Sequence, residues 1–525
     1  MLSLAQLPDD ILIEIFVRLS IPDILSLKQT CRTLFALTST DYLWHQLASA
    51  LPLPLPIPPD TSIWSLPASR IQPLCIAALR LDANWSKPEP TMHRFTPVLA
   101  GIQRTNIDEL RWLPGAQWLV TAQRNRPRGR QSTTFAFWAV PHDGEPYRAA
   151  AFEGHGYFRN FAVTLDEGNG ERHAVLALTV TITGEELLQV YRIALSSLPE
   201  LDTVYIEPKA ATITPPVHYS SGKVILVHHI NRPSTSHGVF YQVLSFGDIV
   251  VATLVKLFDP PGQTDHVLLL NIRTGVQRLL HIRFKETLER VHVALYPTQL
   301  VVLGALEDAL LVRSYAIPPE ILSSPSLAHS TSPSPFPPPS HLQQADPQPT
   351  DFDPPILDAI VSKLPGALDF TLSSNPPPYS TPSPRLTFTT FRFGEGALTR
   401  LYHASLPLPP SPAPSSPRKF AVFPRALHLP PSFSGGTQIA DLPRLGPAGR
   451  RGVWLQRDVE TEEVRLVGVS LPHAGGSKSF GTRTLLSAYP NLPFRPNAVR
   501  ALAFDEALGR MGVGLFNGEV YVLEY

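Results

Sequence analysis

His228 and His229, in the run VILVHHI, put two imidazoles side by side, the side chains best suited to bind a metal or move a proton near neutral pH. On a strand, neighbours point to opposite faces, so this pair cannot chelate one ion together and reads as ordinary surface or core histidine. Cys31 and Cys75 are the only cysteines, which gives neither a disulfide framework nor a paired-thiolate zinc site. No GxxxxGK[ST] phosphate loop, HExxH or GxSxG occurs, so the sequence offers no catalytic, metal or cofactor site. The basic run Arg124 to Arg130, QRNRPRGRQ with its flanks, lacks the interleaved aromatics on which bases stack. It reads as a solvated loop, with a nuclear-import signal or a contact to an acidic substrate as the other readings. The acidic run DVETEE, 458–463, reads as a solvated hairpin.

With bond-making chemistry absent, recognition is what remains, and the residues suited to it crowd the front of the chain. Pro8 has no N–H to donate and precedes Ile11, Leu12, Ile15, Phe16 and Leu19 at helical spacing, with Asp9 and Asp10 favouring the helix dipole. SIPD, 20–23, breaks that helix and supplies caps, after which Ile24, Leu27, Cys31 and Leu34 form a second stripe. Asp41 opens a third helix with Leu43, Trp44 and Leu47. A unit of some 45 residues hides about 60% of its surface or less, so part of this apolar stripe must face a partner or another domain. A helical hairpin packed on its own downstream domain meets that demand as well as a partner does.

Leu7-Pro8, the IxxxIF run, the Pro-Asp-Ile step, Cys31-Arg32 and Leu43-Trp44 fall in the order and spacing of the F-box, which the segment resembles. The resemblance implies docking to a Skp-type adaptor and, through it, to a cullin-based ubiquitin ligase. It carries the adaptor contact to Leu7, Pro8, Ile11, Leu12, Ile15 and Phe16, with help from Leu19, Ile24, Leu27 and Trp44. Some of these must also hold the three helices together. Asp10 stands where many members have glutamate, which keeps the charge and shortens the reach.

Residues 51–60, LPLPLPIPPD, are too proline-rich for a helix or central strand and read as an extended spacer, with the look of an SH3 ligand. Helical spacing resumes from Ile71 to Leu81, with Pro73 in the first turn, and Asn84-Trp85 follows. A comparable helix and Asn-Trp follow the box in several F-box proteins with WD-type propellers.

From about residue 95 the period becomes that of strands, in runs such as QWLVTAQ, TTFAFWAV and ERHAVLALTV separated by turn signals. A strand ending in Phe137-Trp138, a loop, Gly154-His155 and three more strands resemble a degenerate WD repeat, the unit of a β-propeller blade. Tyr191, Leu270, Tyr315 and Tyr521 are expected to occupy places analogous to Trp138. No Trp-Asp dipeptide occurs, and a β-sandwich array or two stacked β domains fit the strands as well. A ring makes a further demand: Phe95 to Leu99 should pair with Glu519 to Tyr525 to close it.

The 57 prolines are about twice the usual share, and many fall in Pro/Ser-rich insertions at about 323–355, 373–384 and 405–418. These are expected to be disordered, with several Ser-Pro steps open to phosphorylation. Acidic and basic residues balance at 44 each, which favours neither nucleic acid nor an anionic membrane. The two unpaired cysteines and the lack of a long apolar run fit an intracellular protein, cytoplasmic and/or nuclear.

The expected organisation is an α+β multidomain chain. A three-helix F-box (1–50) and a spacer with a linker helix (51–94) precede an all-β, propeller-like substrate-binding domain (95–525). The expected role is a non-catalytic substrate-recognition subunit of a Skp-cullin-F-box ligase, with a protein substrate. The alternatives are an F-box scaffold that binds the adaptor without promoting ubiquitination, and a propeller enzyme.

Overall fold

The computed structural model describes residues 7–57, 61–100, 105–125, 132–141, 144–166, 173–182, 185–195, 224–233, 238–255, 265–282, 284, 288, 290–306, 309–322, 350–362, 369–372, 385–394, 397–408, 418–422, 425–428, 438–458, 460–471, 481–486 and 493–525. Four helices lead: α1 (Asp9–Val17), α2 (Ile21–Leu27), α3 (Arg32–Leu37) and α4 (Asp41–Ala50). After an extended stretch comes α5 (Ala68–Trp85), and then strands.

The three helices expected up to residue 50 are four. The stripe from Ile24 to Leu34 is two helices, because Thr30 Oγ1 donates back to the Leu27 carbonyl at 2.8 Å and Cys31 is fully extended (φ −153, ψ 165). A side chain that bonds its local backbone competes with the next helical turn. The linker helix is longer than its apolar stripe, and Pro73 is its sixth residue rather than a member of its first turn. The proline stretch does not stand off as a spacer: Pro54 and Ile57 are buried, Ile57 within the core of the leading helices.

Strand β1 (Arg94–Leu99) follows α5, and among the described residues seven sheets succeed one another. The first is β2 (Thr105–Trp112), β3 (Trp118–Asn125), β4 (Ser132–Ala139) and β5 (Tyr147–His155); the second is β6 (Tyr157–Asp166), β7 (His173–Ile182), β8 (Glu185–Ala194) and β9 (Val224–Pro233). The third holds β10 (Val239–Phe246), β11 (Ile249–Val255), β12 (Asp265–Asn271) and β13 (Gln277–Ile282). The fourth holds β14 (Arg290–Leu295), β15 (Gln299–Ala305) and β16 (Ala309–Ala316). Strand β17 (Thr350–Asp351) returns to the outer edge of the third sheet, and β18 (Leu357–Ser362) completes the fourth. The fifth is β19 (Asp369–Leu372), β20 (Arg385–Gly394), β21 (Ala397–Pro407) and, after β22 (Arg418–Val422) has joined the fourth, β23 (Arg425–His428). The sixth is β24 (Gln438–Leu445), β25 (Arg451–Asp458), β26 (Val464–Ser470) and β27 (Gly481–Leu486); the seventh is β28 (Val499–Asp505), β29 (Arg510–Leu515) and β30 (Val520–Glu524).

Each sheet is a propeller blade. Where their side chains are described, middle strands are buried on both faces, as β15 and β29 are along their whole lengths, so a run such as LVVL in β15 shows no polar alternation. Apolar clusters fill the gaps between neighbours: Phe135 and Phe137 of the first blade meet Phe158 and Phe161 of the second. Between the last and first blades, Val520 and Val522 meet Ala136 and Trp138, so the circle closes. The closing strand is the expected one. β1 pairs antiparallel with β30, Phe95 opposite Leu523, with a register shift between Pro97 and Leu99. A shift of this kind on an outer strand accommodates a proline, which has no N–H to give the ladder.

Trp138, Leu270 and Tyr315 do share one place, each facing the second residue of the preceding strand (Leu119, Val250, Leu300), and Tyr191 lies likewise toward the end of β8. Tyr521 does not. It is the second residue of β30, and the equivalent position, opposite Met511, belongs to Leu523. Of the insertions, 323–349, 373–384 and 409–417 lie outside the described residues, as does most of the basic run (126–130). Their margins are narrower than expected: Thr350 and Asp351 pair with β13, Phe352 packs on Tyr315 at 4.8 Å, and Ser405 to Pro407 finish β21.

Candidate functional site

α1 starts because Pro8 is extended (φ −54, ψ 145) and its carbonyl accepts the first helical bond from Leu12 N, 3.0 Å. Asp9 and Asp10 occupy its first turn. Its 3.6-residue period then separates two pairs one turn apart. Leu12 and Phe16 are wholly buried, while Ile11 and Ile15 are 45% and 36% exposed. α2 is capped by Ser20, whose Oγ accepts from Asp23 N at 3.4 Å. In α4, Trp44 is fully buried and donates from Nε1 to the Thr38 carbonyl at 2.8 Å.

The ten residues singled out in the sequence therefore divide. Leu12, Phe16, Ile24 and Trp44 have no surface to offer a partner: they are the core, with Leu34, Leu43 and Leu47, on which the short helices close. Leu7, Leu19 and Leu27 are half-buried at its margin, and Pro8, Ile11 and Ile15 stand outside. The division follows from size, because four helices of six to ten residues cannot form without a shared apolar centre. Phe35, 54% exposed on α3, belongs with the outer set and was missed. Read as one helix, 24–34 ends before it; the signal for it was the α2–α3 break at Cys31. Lys28 lies 5.1 Å from the Phe35 ring centroid and donates to Gln72 Oε1 of α5 at 2.8 Å.

α5 is shared between two cores. Its first half, through Ala68, Ile71 and Cys75, completes the helical core, and Asp41 Oδ1 accepts from Ala68 N at 2.6 Å. Burial pushes the Cys75 thiol up to about 12, so it is a packing group. The second half enters the propeller, where Leu81 and Trp85 pack with Phe504, Met511 and Tyr525. Trp85 is 5.5 Å from the Phe504 ring and 6.2 Å from that of Tyr525. Asn84 brackets residue 91, donating to the Thr91 carbonyl at 2.8 Å and accepting from Thr91 N at 2.9 Å, which sets the path into β1.

This seat decides which rim of the ring lies away from the helices. α5 meets the turn between β28 and β29, at Gly509, and Arg451 at the start of β25. Inner strands begin, and second strands end, at the opposite rim. There Tyr157, the first residue of β6 and 41% exposed, lies between the guanidiniums of Arg124 (5.1 Å) and Arg159 (5.5 Å). Arg124 is paired with Asp108 at 2.9 Å, and Arg500 lies over the half-exposed Phe516 at 5.4 Å.

His228 and His229 diverge as strand neighbours must. His228 Nε2 lies 2.6 Å from the Ile272 carbonyl, and His229 Nδ1 lies 3.4 Å from Gln189 Nε2. Burial lowers the His228 pKa, against the opposing effect of the Ile272 carbonyl. In the acidic run, Asp458 Oδ1 accepts from Glu460 N and Thr461 N, both at 3.0 Å, forming a turn. Among the described residues no group of three or more His, Cys, Asp or Glu side chains could hold a metal ion. No helix among them is long and apolar enough to cross a membrane.

Residues 4–49 match the model of the F-box-like family. No match was found among curated proteins.

Proposed function

We propose that this F-box protein with a β-propeller is the substrate-recognition subunit of a Skp-cullin-F-box ubiquitin ligase, working inside the cell. The family match supports docking to a Skp-type adaptor, since F-box segments bind adaptors of that type. The observation that carries the reading is the pair of isoleucines left outside a finished core. Ile11 and Ile15 sit one turn apart on α1, just after Leu7 and Pro8, and form an apolar stripe that no described residue covers. Such a stripe is stabilised by docking against another polypeptide.

The rim of the propeller away from α5 supports the other half of the reading. A protein held there leaves the adaptor-docking helices unobstructed. The rim's exposed Tyr157 and Arg500 are of the residue types in which binding energy concentrates. The chain places the substrate, and transfer of ubiquitin is performed elsewhere in the assembly.

The test is co-purification of the full chain with the adaptor and cullin. Leu7→Ala with Pro8→Ala is expected to abolish recovery of both while the propeller stays folded. Equal recovery by parent and double variant overturns the adaptor assignment, and recovery of adaptor without cullin from the parent overturns the ligase assignment.

A further inference from the structure

Apolar packing seats α5 in the propeller, but the driving force for that burial is non-directional. One polar group supplies a direction. Arg451, 2% exposed, reaches from the start of β25 with Nη2 on Asp82 Oδ1 of α5 at 3.2 Å and Nη1 on the Glu506 carbonyl of the seventh blade at 2.8 Å. Its guanidinium also lies 5.8 Å from the Trp85 ring. Glu506 answers with its carboxylate, accepting from the backbone N–H groups of Ala448, Arg450 and Arg451 in the sixth blade. Arg450 adds a second cation at this joint, its Nε and Nη1 buried without a hydrogen-bond partner. Two guanidiniums thus face two carboxylates where α5, the sixth blade and the seventh blade meet. A planar fork that binds two elements at once fixes their relative rotation as a point charge would not.

We propose that Arg451 is a positioning residue, fixing the angle between the leading helices and the propeller through its simultaneous grip on Asp82 and Glu506. The angle acquires its meaning from the ligase reading above, because substrate and transfer site must be held at a set separation. The grip itself does not depend on that reading.

The test is a distance measurement on the full chain by double electron–electron resonance. One spin label goes on Cys31, which is exposed, and a second on Glu153→Cys, an exposed position of β5; Cys75 is buried and stays unlabelled. The parent is expected to give one narrow distance distribution. Asp82→Asn, at a side chain 39% exposed and so tolerant of change, and Arg451→Met are each expected to at least double its width. Arg451→Lys, which keeps the charge but loses the fork, is expected to fall between. Should Arg451→Met fail to fold, Asp82→Asn decides alone. A width equal to the parent's in the folded variants overturns the proposal. No adaptor is needed, so the widths separate the variants whether or not the chain binds one.

Discussion

Phe95 lies opposite Leu523, the first strand after the linker helix paired with the last strand of the chain. Leu523 is fully buried between the sixth and seventh blades. Leu523→Ala is expected to cost about 2–5 kcal/mol in chemical denaturation. Phe516→Ala, at the exposed rim, is expected to stay within about 0.5 kcal/mol of the parent.

Gly509 closes the turn under α5 with φ +64, and a Cβ there would meet Leu81 Cδ1 at 2.6 Å. Gly509→Ala meets both a left-handed backbone and the linker helix, so a loss of more than about 1 kcal/mol is expected. Limited proteolysis with mass spectrometry is expected to show faster cleavage within residues 86–93, the segment that Asn84 holds by Thr91.

Glu506 is a buried carboxyl whose pKa is pushed up to about 7, because loss of water outweighs the neighbouring guanidiniums and N–H donors. Its folded value lies above the unfolded one. The stability it contributes is therefore complete below about pH 4.5 and lost as pH rises through about 7. Unfolding free energies of parent and Glu506→Gln are expected to diverge over that window, the parent losing about 3 kcal/mol relative to the variant. A pH-independent difference between them contradicts this.

Phe16 and Ile11 separate packing from docking within one helix. Phe16→Ala removes a fully buried ring and is expected to cost about 3–5 kcal/mol, seen as earlier melting of the leading helices by circular dichroism. Ile11→Ala is expected to leave melting nearly unchanged.

Much of this was legible in the sequence because periodicity survives any tertiary context. Pro8 and the apolar spacing announced α1, and the need to close a ring predicted the partnership of Phe95–Leu99 with the last strand. The inner and outer sets of the ten leading residues were not separable, since Ile11 and Leu12 are adjacent and equally apolar; only the packing of α1 on α4 sends one outward and one inward. Tyr521 misled because residue type was matched to Trp138 where register assigns Leu523. Arg451 gave no signal at all. Its partners Asp82 and Glu506 are 369 residues behind it and 55 ahead, and no local pattern couples them.

The central claim is that the Ile11–Ile15 stripe is the docking surface for a Skp-type adaptor. Its most direct test is the affinity of the full chain for purified adaptor, measured by calorimetry on parent and Ile11→Ala/Ile15→Ala protein of matched thermal stability. With at least ~2 kcal/mol at stake when such anchors are truncated, the double variant is predicted to bind about thirtyfold or more weakly. Affinity equal to the parent's would contradict the account.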